Sequence, residues 1–274
     1  LRRRPDGFHD IESIFQTLDF GDEREFSKSP DNKDLRITLA EGELPDGPEN
    51  SIRQAWDLLR RLHPGKIGGL RVKLWKRIPL GGGLGGGSSD AAATLIALNR
   101  LHRLDLSSEE LERLALELGS DVPFFVKGGT AIGRGRGERL QPLVPLSGGA
   151  FLLVMPDLSI STAWAYEHLR LGLTGNPYRI SVEQVKGYLS RFPISGMVLK
   201  NRLEDVVFPA YPIFDEIVEA LRAAGAVHAI MSGSGSTVFG TFPDARAAEA
   251  AVAALDTKWR TRVAGPRIRG IGLD

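Results

Sequence analysis

The 274-residue sequence has no cysteine. That excludes disulfide-stapled folds, cysteine-ligated zinc, iron–sulfur clusters and thiolate nucleophiles. It fits a reducing compartment, and the expected location is the cytoplasm. An excess of one charge is also missing: 35 Lys and Arg stand against 34 Asp and Glu, a net charge of +1. Affinity for phosphate backbones draws on many neutralising Lys and Arg contacts, so no nucleic-acid partner is expected. Long apolar runs are lacking. The longest are Ala91–Leu98, broken by Thr94, and Ala150–Met155. A membrane helix needs about 20 residues, so no membrane partner is expected, and no apolar stretch follows the N-terminal arginines as a signal peptide would require. His63, His102, His168 and His228 show no metal-ligand spacing. Glycine (32) and proline (16) stay below the ~25–30% of low-complexity chains.

What is present suits a globular α+β protein. Hydrophobic residues make up 42%, and the length fits about two domains. Ile11–Phe20 reads as extended. Leu35–Leu39 and Leu70–Leu74 alternate apolar and polar, as half-buried strands do. Ser51–His63 and Ser89–Leu101 read as helices, and Ser107 and Glu110 have the spacing of a capping box for a helix that runs to Gly119. Val122–Val126 reads as a short strand turned by Gly128-Gly129. Further on, Phe151–Met155, Val227–Met231 and Thr237–Phe242 read as strands; Val182–Leu189, Pro212–Ala224 and Ala245–Leu255 read as helices. The character changes in the 150s, and the expected domains are 1–150 and 151–274.

The strongest feature is the run from Pro79 to Ala93: six of the seven residues from Gly81 to Gly87 are glycine, between a strand and an Ala-rich helix. Glycines let backbone N–H groups approach an anion closely and permit positive φ. A helix start adds unpaired N–H donors and the positive dipole end, so the run reads as a phosphate site. Ser88 and Ser89 can cap the helix, or one hydroxyl can reach phosphate or its magnesium. No Lys follows the glycines, so the run is not a Walker A loop. Gly81-x-Gly83-x-x-Gly86 fits the dinucleotide fingerprint only as a dense glycine run must, and the alternating strand before it is unlike a fully buried first strand.

The run resembles the ATP loop of the GHMP kinases, P-x-x-x-G-L-x-S-S-A, with extra glycines. Further blocks in family order span nearly the whole chain. Arg4-Pro-Asp-Gly-Phe-His9, Phe15–Asp22, Gly119-Ser-Asp-Val-Pro123 and Met231-Ser-Gly-Ser-Gly235 are similar to the branch that phosphorylates cytidine-diphosphate methylerythritol. The resemblance implies a ribosomal-S5-like first domain, a ferredoxin-like second domain and an active site in the cleft between them. It implies a cytoplasmic kinase that uses ATP with Mg2+ on a small-molecule substrate, at the C2 hydroxyl, in non-mevalonate isoprenoid synthesis.

The resemblance also implies site residues. Asp121 would be the catalytic base; read alone, it is more readily a turn Asp bonded to its own backbone. Pro79, Leu80, Gly81, Gly82, Gly83, Leu84, Gly85, Gly86, Gly87, Ser88 and Ser89 would hold ATP. Asn50 and Lys76 would lie at adenine, or else be a helix cap and a strand-edge charge. Phe8, in place of the usual Tyr, and Tyr166 would sandwich the cytosine that His9 reads. Thr162 would touch substrate. Gly233 and Gly235 would let backbone approach substrate or phosphate, or simply turn a hairpin. Arg134 and Arg136 read as solvated charges in a turn. Direct metal ligands are not assigned.

The match breaks at the start. The family carries a P-A-K-x-N segment shortly before R-x-D-G-Y-H, and this sequence begins at Leu1, inside that region. There are two expectations: a longer natural chain, or a catalytically impaired one. The first is preferred, because the glycine run and Asp121 keep the pattern. Another GHMP kinase, of homoserine or mevalonate type, and a non-catalytic nucleotide- or RNA-binding protein are the rival readings.

Overall fold

A computed structural model describes residues 4–30, 34–44, 47–169, 182–190, 192–193 and 199–272. Among these the elements run β1 (Ile11–Gln16), β2 (Glu23–Lys28), β3 (Leu35–Glu41), α1 (Ser51–Leu62), β4 (Leu70–Trp75), α2 (Gly86–His102), α3 (Ser108–Leu118), α4 (Val122–Lys127), β5 (Thr130–Gly135) and β6 (Arg139–Pro142). They continue with β7 (Ala150–Met155), α5 (Thr162–His168), α6 (Val182–Leu189), α7 (Glu204–Ala210), α8 (Ile213–Ala223), β8 (His228–Met231), β9 (Val238–Phe242), α9 (Ala245–Val252) and β10 (Arg260–Ala264). No described helix is long and apolar enough to cross a membrane.

The chain divides into two compact units. The first gathers Leu1–Phe20, Gly81–Leu84 and Gly129–Ile268; the second gathers Gly21–Leu80, Gly85–Gly128 and Arg269–Asp274.

In the second unit β2, β4 and β3 form a sheet in that order, with β3 parallel to β4 and β2 antiparallel. Leu70, Val72 and Leu74 are buried while Arg71 and Lys73 face water. That is the period-2 pattern of a sheet with one covered face. The covering core comes from Ile52, Ala55 and Leu59 of α1, Leu95 and Leu98 of α2, and Leu111 and Leu114 of α3. Helix α3 starts on the expected capping box: Ser107 Oγ accepts from Glu110 N at 3.2 Å, and Glu110 accepts from Ser107 N at 2.8 Å. Val122–Val126 is not a strand. It lies in helix α4, with Pro123 in the first turn and Gly128 (φ +68°) after the end. Proline there gives up an N–H that the first turn leaves unbonded anyway. A five-residue apolar run carries no periodicity to choose strand from helix.

In the first unit β1, β5 and β6 form an antiparallel sheet, and the second sheet runs β10-β7-β9-β8, antiparallel throughout. Counted along the chain that order is 4-1-3-2, with helices in the connections β7–β8 and β9–β10. This is the split β-α-β-β-α-β arrangement of ferredoxin-like domains. Strand β7 is buried along its whole length. One core lies over Leu152 and Val154, with Phe214, Ile217 and Leu221 of α8 and Ala248 of α9. Another takes Phe151 and Leu153 together with Ile132 of β5, Leu143 and Leu146. Through that shared core residues 129–150 pack with β7 and the later part of the chain, and the expected boundary at 150 falls inside this unit.

Phe214 is fully buried and stacked on Phe208, with ring centroids 5.5 Å apart. Phe214→Ala removes that contact and opens a cavity, at an expected cost of about 3–5 kcal/mol, read as a lower urea midpoint. A cost under about 1 kcal/mol would mean that the core closes over the gap.

Candidate active site

The glycine run is held carbonyl-first. In the first unit Ser236 N donates to Gly81 O (3.2 Å), Thr237 N to Gly82 O (3.1 Å) and Ser232 Oγ to Gly83 O (2.9 Å). The peptides involved are trans, and a trans peptide points its N–H opposite to its C=O. The N–H groups of Gly82, Gly83 and Leu84 therefore face the other way, with no protein partner among the described residues. Successive N–H groups turned to one side make an anion-binding nest. Gly81 and Gly83 sit at φ +66° and +70°, and a Cβ on Gly83 would collide with Ser232 O and Gly235 O. The Ser-Gly-Ser-Gly-Ser segment is both the β8–β9 connection, with Gly233 and Gly235 in its turn, and the seat of the run.

The run continues into the second unit at Gly85, the left-handed N-cap of α2 (φ +67°), which makes no side-chain cap bond. The first helical bond is Ser89 N to Gly85 O, so the N–H groups of Gly86, Gly87 and Ser88 are helix-start donors. The expected serine cap is therefore wrong: Ser89 Oγ donates back to Gly86 O (2.8 Å) and accepts from Arg24 Nη2 (3.0 Å). Ser88 is half-buried.

Beneath this helix start lies a charge cluster. The side chains of Asp22, Asp90 and Lys76 are 0%, 1% and 3% exposed. Lys76 Nζ contacts Asp22 Oδ2 and lies 3.2 Å from Asp90 Oδ2. Arg24 Nε donates to Asp90 Oδ1 at 2.6 Å. Asp22 Oδ1 also accepts from Arg77 N (2.7 Å) and Ile78 N (2.8 Å). Two cations thus meet two carboxylates, the balanced pairing that buried charge needs. Lys76 is not a strand-edge charge. Asn50 is the N-cap of α1, its Oδ1 accepting from Ile52 N (2.9 Å) and Arg53 N (3.2 Å). Sequence reading missed Asp22, Arg24 and Asp90, whose partners are remote in the chain.

The residues expected to hold the acceptor, Phe8, His9, Thr162, Tyr166, Gly233 and Gly235, belong to the first unit. The Arg4–His9 turn closes through Arg4 N to Phe8 O (2.7 Å), and Phe8 N donates to Asp6 Oδ1 (3.2 Å). His9 stacks on Tyr166 of α5, centroids 5.2 Å apart at 24°. One turn earlier on that helix, Thr162 Oγ1 and Ser234 Oγ share a 2.8 Å hydrogen bond. Phe8 is 52% exposed, and the Arg136 guanidinium lies 4.5 Å over its ring. Arg136 stands in the 136–138 turn, as expected, but half-buried, while Arg134 departs from the reading of a solvated turn charge. Arg134 is in β5 and pairs with Glu12 (2.7 Å) on β1; Arg136 covers the ring expected to stack on a base.

Asp121 precedes α4 in the second unit. It makes no cap bond, and its carboxylate has no hydrogen-bond partner among the described residues. A turn Asp bonded to its own backbone is therefore not what is found. The residue is exposed to solvent, while the protein around its carboxyl raises the pKa above the ordinary carboxylate value by desolvation. An unpartnered carboxylate with a raised pKa has the properties of a general base.

Family domain models describing the GHMP kinases N terminal domain and the GHMP kinases C terminal match residues 50–129 and 189–261. The 4-diphosphocytidyl-2-C-methyl-D-erythritol kinase of a Geobacter species is 42% identical over 256 residues, 93% of this chain and 89% of that protein. The chain belongs to the GHMP kinase family. The kinase of the same name from Pelobacter propionicus is 40% identical over 257 residues, 93% of this chain and 89% of its own. Among solved structures, a 4-(cytidine 5'-diphospho)-2C-methyl-D-erythritol kinase superposes with a TM-score of 0.77 at 34% identity, covering 96% of this GHMP kinase and 93% of that chain. The homoserine kinase of Cytophaga hutchinsonii shares the GHMP kinase fold, with a TM-score of 0.72 at 21% identity, covering 94% of this chain and 90% of its own.

Gly83→Ala forces an unfavourable φ and a clash with the 232–236 segment. Nucleotide affinity is expected to fall about tenfold or more, measured by calorimetry with the far-UV spectrum unchanged. Wild-type affinity would detach the run from anion binding.

Proposed function

We propose that this chain transfers the γ-phosphoryl group of ATP to the C2 hydroxyl of 4-diphosphocytidyl-2-C-methyl-D-erythritol. The unpartnered N–H groups of Gly82, Gly83 and Leu84, turned outward because the Gly81–Gly83 carbonyls are bound from behind, carry the phosphoryl-transfer reading. The acceptor rests on likeness to relatives of that name across nine-tenths of the chain, supported by the Phe8, His9 and Tyr166 rings.

In this reading the Pro79–Ser89 segment binds the triphosphate, with the Gly82–Leu84 nest and the helix-start N–H groups of α2 each offering donors to phosphate. Asn50 and Lys76, expected at adenine, fix the walls: Asn50 starts α1, and Lys76 ties the segment after β4 to α2. Phe8 and Tyr166 offer stacking faces for cytosine, and His9 reads its edge; His9 is stacked on one Tyr166 face, so the base would take the other face or displace it, and Arg136 must leave the Phe8 face, or stack beyond the base. Thr162, Gly233 and Gly235 line the acceptor side. Asp121 accepts the hydroxyl proton as the C2 oxygen bonds to the γ-phosphorus, and the bond to the bridging oxygen breaks to release ADP. Magnesium bound with ATP spreads the phosphate charge. No group of three His, Asp or Glu side chains that could hold a metal occurs among the described residues. A nucleotide-bound magnesium would be held by phosphates, water and one or two protein groups, and the half-buried Ser88 hydroxyl in the first turn of α2 would be one of them.

The test is ADP release with ATP, magnesium and the cytidine substrate, beside homoserine and mevalonate. Turnover confined to the cytidine substrate is expected; turnover with another acceptor would move the assignment within the family.

The sign of the Asp121 shift gives a second test. A base works ionised, so activity should fall as pH drops through its raised pKa, placing the acid limb above the ordinary carboxylate value of 3.8. Desolvation penalises the ionised form, so folding stability is lost between the unfolded and folded pKa as pH rises, and stays lost above both. Asp121→Asn should therefore abolish turnover, leave ATP affinity nearly intact and raise Tm at neutral pH. Normal turnover by the variant would remove Asp121 from the base role.

A further inference from the structure

The segment that seats the glycine run is itself held from behind by two side chains that the sequence reading passed over. Asn201 Nδ2 donates to Met231 O (2.8 Å) and to Gly233 O (2.6 Å). Glu204, at the start of α7, accepts from Met231 N through Oε1 at 2.7 Å. Met231 ends β8 and is 1% exposed. Both its backbone groups, and the carbonyl two residues on, are thus claimed by one helix start. Immediately beyond come Ser232, Ser236 and Thr237, the three residues that bind the carbonyls of Gly83, Gly81 and Gly82. All of these contacts lie within the first unit.

We propose that Asn201 and Glu204 are positioning residues for the nucleotide site: they set the 232–237 segment, which sets the direction of the nest. The chemistry fits the task. A carboxamide can donate to two carbonyls at once, and a carboxylate accepting from a buried N–H makes a strong charge-assisted bond. Burial raises the Glu204 pKa, partly offset by that Met231 N–H, so the site accepts a desolvated carboxylate to hold this one amide. A purely local role for Asn201 exists beside this one: its Oδ1 accepts from Leu203 N at 3.0 Å, at the turn into α7. The two roles use different atoms of one side chain and can be separated.

The inference rests on reading Gly81–Ser89 as the nucleotide site, and the experiment distinguishes the two. MgADP affinity of the full chain is measured by calorimetry for wild type, Asn201→Asp, Glu204→Ala and Glu204→Gln, with far-UV spectra and Tm recorded for each. Asn201→Asp keeps the acceptor for Leu203 N and replaces the two donors with charge facing carbonyls. Glu204→Gln keeps an oxygen for Met231 N. Asn201→Asp and Glu204→Ala are expected to bind MgADP about tenfold more weakly or worse, with Glu204→Gln within about threefold of wild type. If Asn201→Asp does not fold, Asn201→Ser removes both donors without adding charge and carries the same expectation. Affinities for folded Asn201 and Glu204→Ala variants within about twofold of wild type, or a Glu204→Gln loss equal to that of Glu204→Ala, would overturn the proposal. Wild-type chain that binds no MgADP would overturn the nucleotide-site reading, and the positioning role with it.

Discussion

Everything proposed for the glycine run depends on which way its peptide planes face. Glycine loses more conformational freedom on ordering than any other residue, so a run of six has no preferred shape of its own. Here the carbonyls of Gly81, Gly82 and Gly83 are bound by Ser236 N, Thr237 N and Ser232 Oγ, and planarity then turns the N–H groups outward. The backbone is aimed by groups that never touch the phosphate. This explains why glycine is needed at position 83: φ is positive, and the carbonyls of Ser232 and Gly235 leave no room for a Cβ.

The second half of the run is fixed by different means. Gly85 to Ser89 begin α2, and the cluster of Asp22, Arg24, Lys76 and Asp90 lies beneath them. Buried charges of this kind add little net stability when complete, but removing one partner costs about 3–5 kcal/mol. The cluster therefore works as a registration device. Arg24 comes from β2, Lys76 follows β4, and Asp90 stands in the second turn of α2; each can be satisfied in only one mutual arrangement. Gly86 lets that arrangement form, since a Cβ there would fall 2.9 Å from Lys76 Nζ and from Ile78 Cγ2.

Much of this was legible in the sequence, for reasons that differ by element. Helices α1 and α3 and strand β4 announce themselves by period and by caps, which are local chemistry. The glycine run stands out because so dense a run has few other uses, and Asp121 only through the G-x-D-V-P block that the resemblance supplies. Helix α4 was misread because Val122–Val126 is too short to show a period, and only Pro123 hinted at a helix start. Asp22 and Asp90 were invisible because a carboxylate in sequence shows nothing of a partner 54 or 66 positions away. Arg136 was read as solvated because no local signal tells a free guanidinium from one laid on a ring. Asn201 and Glu204 did carry a signal: their N-x-x-E spacing is that of a helix-start box, though the structure spends both side chains largely on β8 and the segment after it.

The contrast between these residues and Asp121 separates support from chemistry. Asp22, Asp90 and Glu204 are carboxylates that accept from backbone N–H groups or cations. Asp121 is committed to nothing among the described residues, although the protein around it disfavours its charge. Folding selects for the first condition, because an unpaired desolvated carboxylate costs stability. A proton acceptor needs an oxygen that the substrate hydroxyl can reach, and Asp121 leaves its oxygens open. The same division holds along the glycine run, where the carbonyls are satisfied and the N–H groups are left open. Among the described residues, the N–H groups of the run and the Asp121 carboxylate leave polar capacity open, and phosphoryl transfer would use both.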